Sequence, residues 1–185
     1  MCTLHSPARV AIAVYANQLT QTMTGDCIRG VWTLKTASGK TLESTDFENG
    51  GIWRVSDNHP LGIQTWTPAG ASGWNGPVPQ NTLKVDIRLG TGAWISSSRK
   101  GAVVTLTGTA LLYSQGDHKW FKRSAAGVFQ YRDRGTTAWK PLKAVRTSSA
   151  GTVTMAYTYA PTRDYRFALY STPISWDVAS AVTTR

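Results

Sequence analysis

The sequence is short of acids. Of its 185 residues only 10 are Asp or Glu, against 20 Lys or Arg, and the formal charge is +10. Charged residues make up 16% of the chain, compared with roughly 25% in an average globular domain. The positive balance therefore reflects missing carboxylates rather than abundant bases. Three histidines complete the inventory for acid–base work and metal ligation. His5, His59 and His118 are isolated from one another and from cysteine, and no H-E-x-x-H, C-x-x-C, G-x-S-x-G or phosphate-loop spacing occurs. The densest oxygen cluster, Asp46, Glu48 and Asn49, falls short of the Asp-rich loop that calcium requires. Neither catalysis nor a metal or other cofactor is expected.

Cysteine is nearly absent as well. Cys2 and Cys27 are the only two. They form either one disulfide, which needs an oxidising compartment, or two free thiols. No apolar run approaches the roughly 18–20 residues of a membrane helix. The start, Met1 to Arg9, lacks a charged segment followed by an apolar stretch of signal-peptide length, and Val10 to Ala16 is too short to serve. The chain is thus cytosolic as it stands, or its signal lies outside this sequence, or it leaves the cell by another route, such as within a virus particle. A helical apolar period is missing too, so no long helix is expected.

What is present is β texture. Apolar residues make up 41% of the chain, with eight Trp, seven Tyr and four Phe, enough to bury a core. Short runs rich in Thr, Val, Trp and Tyr are cut by Gly, Pro, Asn and Ser. Strands are predicted at Ala11 to Tyr15, Ile28 to Thr36, Thr41 to Phe47, Ile52 to Ser56, Gly62 to Thr67 and Thr82 to Leu89. The turn Glu48-Asn49-Gly50-Gly51 carries the Asn-Gly hairpin signal, and Pro68 to Gln80 reads as a loop. Further strands are predicted at Trp94 to Ser97, Ala102 to Tyr113, Val128 to Arg134, Trp139 to Thr147, Thr152 to Tyr159, Tyr165 to Tyr170 and Ala179 to Thr183. Seven short strands in the second half have the spacing of an immunoglobulin-like sandwich.

Charge divides the chain in the same place. Residues 1–91 hold seven Lys/Arg and six Asp/Glu, and residues 92–185 hold thirteen and four, so the halves carry +1 and +9. An echo agrees with this break. Gly30-Val31-Trp32 followed by Gly39-Lys40 resembles Gly127-Val128-Phe129 followed by Gly135-Thr136. The expected fold is all-β, with two tandem immunoglobulin-like β-sandwich domains, residues 1–91 and 92–185.

Four blocks of the second half carry a family resemblance. They are Arg99 to Gly108, the hairpin Val128 to Leu142 around Gly135-Thr136-Thr137-Ala138-Trp139, the turn Val145 to Gly151, and Asp164-Tyr165-Arg166-Phe167. In order and content they resemble the immunoglobulin-like domains of secreted actinobacterial-type bacterial proteins, over roughly residues 95–185. The resemblance implies a sandwich and says little of function, since that family includes stalks, adhesive modules and domains appended to enzymes. Within it, Trp139 is expected to cover the hairpin edge, and Tyr165 to place its hydroxyl on nearby backbone as a tyrosine corner.

Two segments are candidates for binding. Trp74 sits between flexible residues in Gly73-Trp74-Asn75-Gly76-Pro77, and is either a lid on the core or a platform for a sugar ring or partner. His118-Lys119-Trp120-Phe121-Lys122-Arg123 interleaves bases and rings. That mix suits a polyanion, or else marks a strand edge whose lysines discourage pairing between molecules. Lys119, Trp120, Lys122 and Arg123 are its candidate contacts. Arg132 and Arg134 share one face by the period of two and, with Lys140, Lys143 and Arg146, would extend a basic surface.

Taken together, the residues predict a non-catalytic binding or structural module, extracellular or in the cell envelope. Its partner would be a protein, or an anionic wall polymer or glycan, with nucleic acid disfavoured. The alternatives are a phage virion decoration or tail-associated module, and an accessory domain of a secreted enzyme.

Overall fold

The computed structural model describes residues 1–48 and 50–185. Asn49, from the expected Asn-Gly turn and the oxygen cluster, lies outside the described residues. The chain divides into two units, Met1–Arg88 and Leu89–Arg185. Among the described residues no helix is long and apolar enough to cross a membrane.

The first unit contains β1 (Cys2–His5), β2 (Arg9–Ile12), β3 (Ala16–Gly25), β4 (Arg29–Thr36) and β5 (Thr41–Phe47). These are followed by β6 (Gly50–Ser56), β7 (Gly62–Gly73), the short β8 (Gly76–Pro77) and β9 (Leu83–Leu89). One sheet has the order β1-β3-β6, and the other β2-β9-β7-β4-β5, with β8 turned back on β7. The pairings β1/β3, β3/β6, β4/β5, β4/β7 and β7/β9 are antiparallel.

The second unit contains β10 (Thr91–Lys100), β11 (Val103–Ser114), β12 (Lys119–Lys122), β13 (Ala126–Asp133) and β14 (Lys140–Arg146). It closes with β15 (Thr152–Thr158), β16 (Arg163–Leu169), β17 (Val178–Ala179) and β18 (Thr183–Thr184). Its sheets are β10-β11, with β12 and β15 both on β11, and β14-β13-β16, with β17 and β18 both on β16. Setting aside β2, β8 and β12, and taking β17 and β18, which both pair with β16, as one interrupted last strand, both units share one plan. The first two long strands and the fifth form one sheet, and the third, fourth, sixth and last form the other. This is an immunoglobulin-like Greek-key sandwich, twice over.

The sequence echo falls on equivalent strands. Gly30-Val31-Trp32 lies on β4 and Gly127-Val128-Phe129 on β13, the third long strand of each plan. Trp32 and Phe129 are both fully buried. A side chain on either glycine would collide: a Cβ at Gly30 would lie 2.5 Å from the Trp32 ring, and one at Gly127 would lie 2.6 Å from the Ala168 carbonyl oxygen.

Large rings fill the space between sheets. Trp53 on β6 meets Trp66 on β7 edge-on, with centroids 5.4 Å apart. In the second unit Val104, Leu106 and Ala110 of β11 pack with Phe129 of β13 and with Tyr165, Phe167 and Leu169 of β16. Phe129 and Phe167 have centroids 5.1 Å apart. Tyr165 differs from the expected tyrosine corner. Its hydroxyl pairs with the Tyr157 hydroxyl at 2.6 Å rather than with backbone. Burial, then that hydroxyl, raises its pKa far above the ordinary phenol range.

Three local expectations are corrected. The strand predicted at Ala11 to Tyr15 spans Arg9–Ile12 instead, with Val10 and Ile12 buried and Val14 and Tyr15 exposed. Strand β3 was not legible, because the one residue it buries deeply is polar: Gln21, whose side-chain amide donates to the Ser6 hydroxyl at 2.9 Å. The Pro68–Gln80 loop is in large part strand. Beyond an irregularity between Gly30 and Trp32, Gly30 pairs with Ala71 and Arg29 with Ser72. The Gln80 side chain spans the gap, donating to the Val31 carbonyl and accepting from the Gly70 amide, both at 2.8 Å.

Asn81 acts similarly for β1. Its side chain accepts from the Leu4 amide at 2.8 Å and donates to the Leu4 carbonyl at 3.0 Å. Its own carbonyl accepts the Trp32 indole N–H at 3.0 Å. Trp66 is equally buried, yet its indole nitrogen has no hydrogen-bond partner among the described residues. Trp32→Phe is therefore expected to cost about 1 kcal/mol more stability than Trp66→Phe, because only the former breaks a bond and strands a carbonyl. Urea titration of the two variants checks this, and equal losses would assign the whole effect to ring volume.

Candidate functional sites

The candidate contacts fall in three separate places. In the first unit, Trp74 and Asn75 form the two-residue turn between β7 and β8, where Gly73 pairs with Gly76. Trp74 is 87% exposed, so it is not a lid on the core. Beside it runs the connection from β3 to β4, containing Asp26, Cys27 and Ile28. Gly73 is needed here, because a Cβ would sit 2.4 Å from the Asp26 carbonyl oxygen. The Ile28 amide donates to the Ser72 carbonyl at 2.9 Å. Cys27 is joined to Cys2 by a disulfide with a Cα–Cα distance of 5.4 Å.

The second place is β12, all four residues of which are exposed. It pairs with the end of β11, Trp120 opposite Tyr113 and Lys122 opposite Leu111. The Trp120 ring stands edge-on to buried Tyr113 at 5.7 Å, so part of it serves as cover. The Lys119 ammonium lies 5.0 Å from the Phe121 ring centroid.

Just past β12, Thr147 holds the chain in a turn. Its hydroxyl donates to the Arg123 carbonyl and accepts from the Ala125 amide, each at 2.8 Å. Arg123 is thereby brought to the same cavity as Arg146 of β14. This cavity, about 170 Å³, is lined by Arg123, Arg146, Ser124, Leu111, Leu169 and Tyr170, among others, and no carboxylate lines it. The sequence groups the segment ending at Arg123 with Arg146 in one basic surface, and the two line one cavity, Arg123 from just past β12 and Arg146 from the end of β14. The Thr147 turn places Arg123, together with the bond from the Arg123 amide to the Ala110 carbonyl at 3.2 Å.

The third place holds Arg132 and Arg134, where two carboxylates are set into the predicted basic surface. Both arginines share one carboxylate, that of Asp164. Asp164 accepts from Arg132 Nε at 3.0 Å, from Arg134 Nη1 at 3.3 Å and from the Thr184 hydroxyl at 2.6 Å. Next to it, Asp133 pairs with Arg163 Nε at 2.6 Å and with Lys140 Nζ at 3.6 Å. The arginines also stack. The Arg132 and Arg166 guanidinium carbons lie 4.8 and 4.4 Å from the Trp139 ring centroid, and that of Arg163 lies 3.5 Å from the Tyr159 ring centroid. This end of β13 and β16 is a cross-strand charge and ring ladder in which Arg132, Arg134, Lys140, Arg163 and Arg166 outnumber Asp133 and Asp164. The Trp139 ring lies against the guanidinium groups of Arg132 on β13 and Arg166 on β16.

No cluster of three or more His, Cys, Asp or Glu side chains that would hold a metal occurs among the described residues. His5 meets the Thr24 hydroxyl and His59 the Gln64 amide oxygen, both at 2.8 Å. Asp46 of the expected oxygen cluster is engaged by Arg29.

The chain matches no protein-family profile. It likewise matches no curated protein. Among solved structures it is similar to a two-domain fibronectin type III segment of chicken tenascin, with 12% identity, TM-score 0.43, and 98% of this chain and 97% of that chain covered. It is similar as well to a DUF3823 family protein from Bacteroides uniformis, with 10% identity, TM-score 0.32, and 100% and 98% covered. The D0-D1 domain of intimin is another, with 14% identity, TM-score 0.30, and 100% and 96% covered. The sandwich assignment stands on the strand order above.

The ladder makes an acid-side prediction. Asp164 is held below the usual carboxylate range, first by the Thr184 hydroxyl and then by Arg132 and Arg134. Asp133 is shifted the same way, chiefly by Arg163. A carboxylate with a depressed folded pKa stabilises the fold above its unfolded pKa and loses that contribution as pH falls through the folded value. Urea midpoints of the second unit should therefore fall as pH drops below about 4. Asp164→Asn is expected to be less stable at neutral pH and to show a flatter acid limb, and an unchanged limb would remove Asp164 from this role.

Proposed function

We propose that the chain is a non-catalytic binding module built from two immunoglobulin-like sandwiches. Its second unit holds an acidic polymer through Arg123 and Arg146, supported by Lys122 and the β12 surface. The observation that carries this reading is the cavity where the two arginines converge with no carboxylate in its wall. The unit has thirteen bases and four acids, and two of those acids are consumed in the β13/β16 ladder. A third, Asp117, accepts from the Ser114 hydroxyl at 2.9 Å at the β11/β12 turn. The fourth, Asp177, lines a different cavity, with Gln130, Arg166 and Val178. With no carboxylate in the wall of their own cavity, Arg123 and Arg146 are left for an external anion, and weakly compensated positive surfaces attract polyanions over several ångströms.

An extracellular or cell-envelope setting fits this chemistry. The Cys2–Cys27 bridge supports it, because disulfides persist in oxidising compartments. Anionic wall polymers and acidic glycans are the partner classes of that setting.

The test is retention on immobilised heparin and on purified wall teichoic acid across a salt gradient. The double variant Arg123→Ala/Arg146→Ala should elute earlier from both, and the slope of log affinity against log salt should fall by about 1 per arginine removed. Lys40→Ala, in the first unit, serves as the control and should elute with the wild type. Co-elution of the double variant with the wild type would exclude this cavity as the site.

A further inference from the structure

The Trp74 turn of the first unit is independent of the cationic surface and has different chemistry. It is a single indole, 87% exposed, presented on a two-residue turn between paired glycines. Around it lies a cavity of about 170 Å³ lined by Asp26, Asn75, Pro77 and Val78 among others, with no Lys or Arg in its wall. Neither the Asp26 carboxylate nor the Asn75 amide has a side-chain hydrogen-bond partner among the described residues. The surface therefore offers a flat apolar ring beside one acceptor-only group and one group that both donates and accepts.

Its placement is tightly held. The Val78 amide donates to the Ala71 carbonyl at 3.0 Å, closing the hairpin, and the Ile28 amide donates to the Ser72 carbonyl at 2.9 Å. The Cys2 amide donates to the Pro79 carbonyl at 2.7 Å, and the Asn81 amide to the Cys2 carbonyl at 3.2 Å. The Cys2–Cys27 disulfide ties the Asp26 connection to the same strand. Ring and carboxylate come from two loops, and one cross-link fixes their separation. A site ordered before binding loses less entropy when it is filled.

We propose that Trp74, Asp26 and Asn75 form a platform for a pyranose ring of a neutral polysaccharide. The C–H face of the sugar stacks on the indole, hydroxyl groups donate to Asp26, and the Asn75 amide completes the polar contacts. Charge selects this occupant over the others. The Asp26 carboxylate repels polyanions and anionic lipid surfaces, and a lone ring with a polar rim is too small for an apolar protein patch. The disulfide acts as a positioning element, outside the contact itself.

The experiment is co-sedimentation with insoluble cellulose, chitin and β-1,3-glucan at high salt, where the cationic cavity is screened. Wild-type protein should sediment with at least one of the three. Trp74→Ala should bind about tenfold more weakly or worse, and Trp74→Phe should retain part of the binding. Trp74 supports no core, so the melting temperature of these variants should match the wild type. Reduction of the disulfide should weaken binding several-fold without abolishing it. The Arg123→Ala/Arg146→Ala variant should bind as wild type, and Trp74→Ala should still be retained on heparin, so failure of either site is separable from failure of the other. No sedimentation of the wild type with any of the three, or equal binding by Trp74→Ala, would overturn the proposal. Trp74-dependent sedimentation with phosphatidylcholine vesicles instead of polysaccharide would overturn it in favour of a membrane-touching tip.

Discussion

The burial of large rings between two sheets is the interaction on which each unit depends. Trp32, Trp53 and Trp66 in the first unit and Phe129, Tyr165 and Phe167 in the second are essentially inaccessible to water. Each ring of this kind removes on the order of 150–250 Å² from solvent, at about 25 cal/mol per Å² of apolar surface. The rest of the architecture accommodates them. Glycines stand where rings approach backbone or one another, and Gly108 lies under the Phe167 ring at 2.8 Å from its nearest atom to a would-be Cβ. Asn81 and Gln80 supply from their side chains the hydrogen bonds that the strands around Trp32 cannot supply from the backbone.

Scarcity of acids shapes the surface in turn. A +9 unit with four carboxylates cannot neutralise itself. Asp133 and Asp164 are placed where each does most, at the register positions opposite Arg163 and Arg132. Stacking of Arg132 and Arg166 on Trp139, and of Arg163 on Tyr131 and Tyr159, disperses further charge over rings. One end of the β13/β16 sheet thus becomes a partly neutralised ladder, while the cavity wall of Arg123 and Arg146 holds no acid. The contrast between a basic region threaded by carboxylates and one without them is invisible in net charge.

How much of this was legible follows from what each element buries. Strands β4, β9 and β11 alternate apolar and polar residues, and their limits, like those of β13, lie within a few residues of the predicted ones. Strand β3 carries a buried glutamine where the pattern asks for an apolar residue, so its signal is weak. The far half of β7 reads as a loop because its Gly, Ala and Ser residues have little strand propensity, and because its pairing is completed by Gln80 from outside the strand. The Trp74 candidate was visible from its flanking glycines, but its choice between lid and platform was not. Arg132 and Arg134 were correctly placed on one face, but their partner, Asp164, is about thirty residues away in sequence and adjacent only through the β13/β16 register.

The sequence by itself determined the all-β class, the break between a near-neutral and a strongly basic half, and the strands that alternate cleanly. Those properties are local: periodicity, turn residues and charge counts need no knowledge of distant neighbours. Only the tertiary structure decided which cations are already paired, which two arginines share a cavity, and that Asp26 stands beside Trp74. Each of those depends on residues from different strands or loops, brought together by the Greek-key order and by the packing of rings between the sheets.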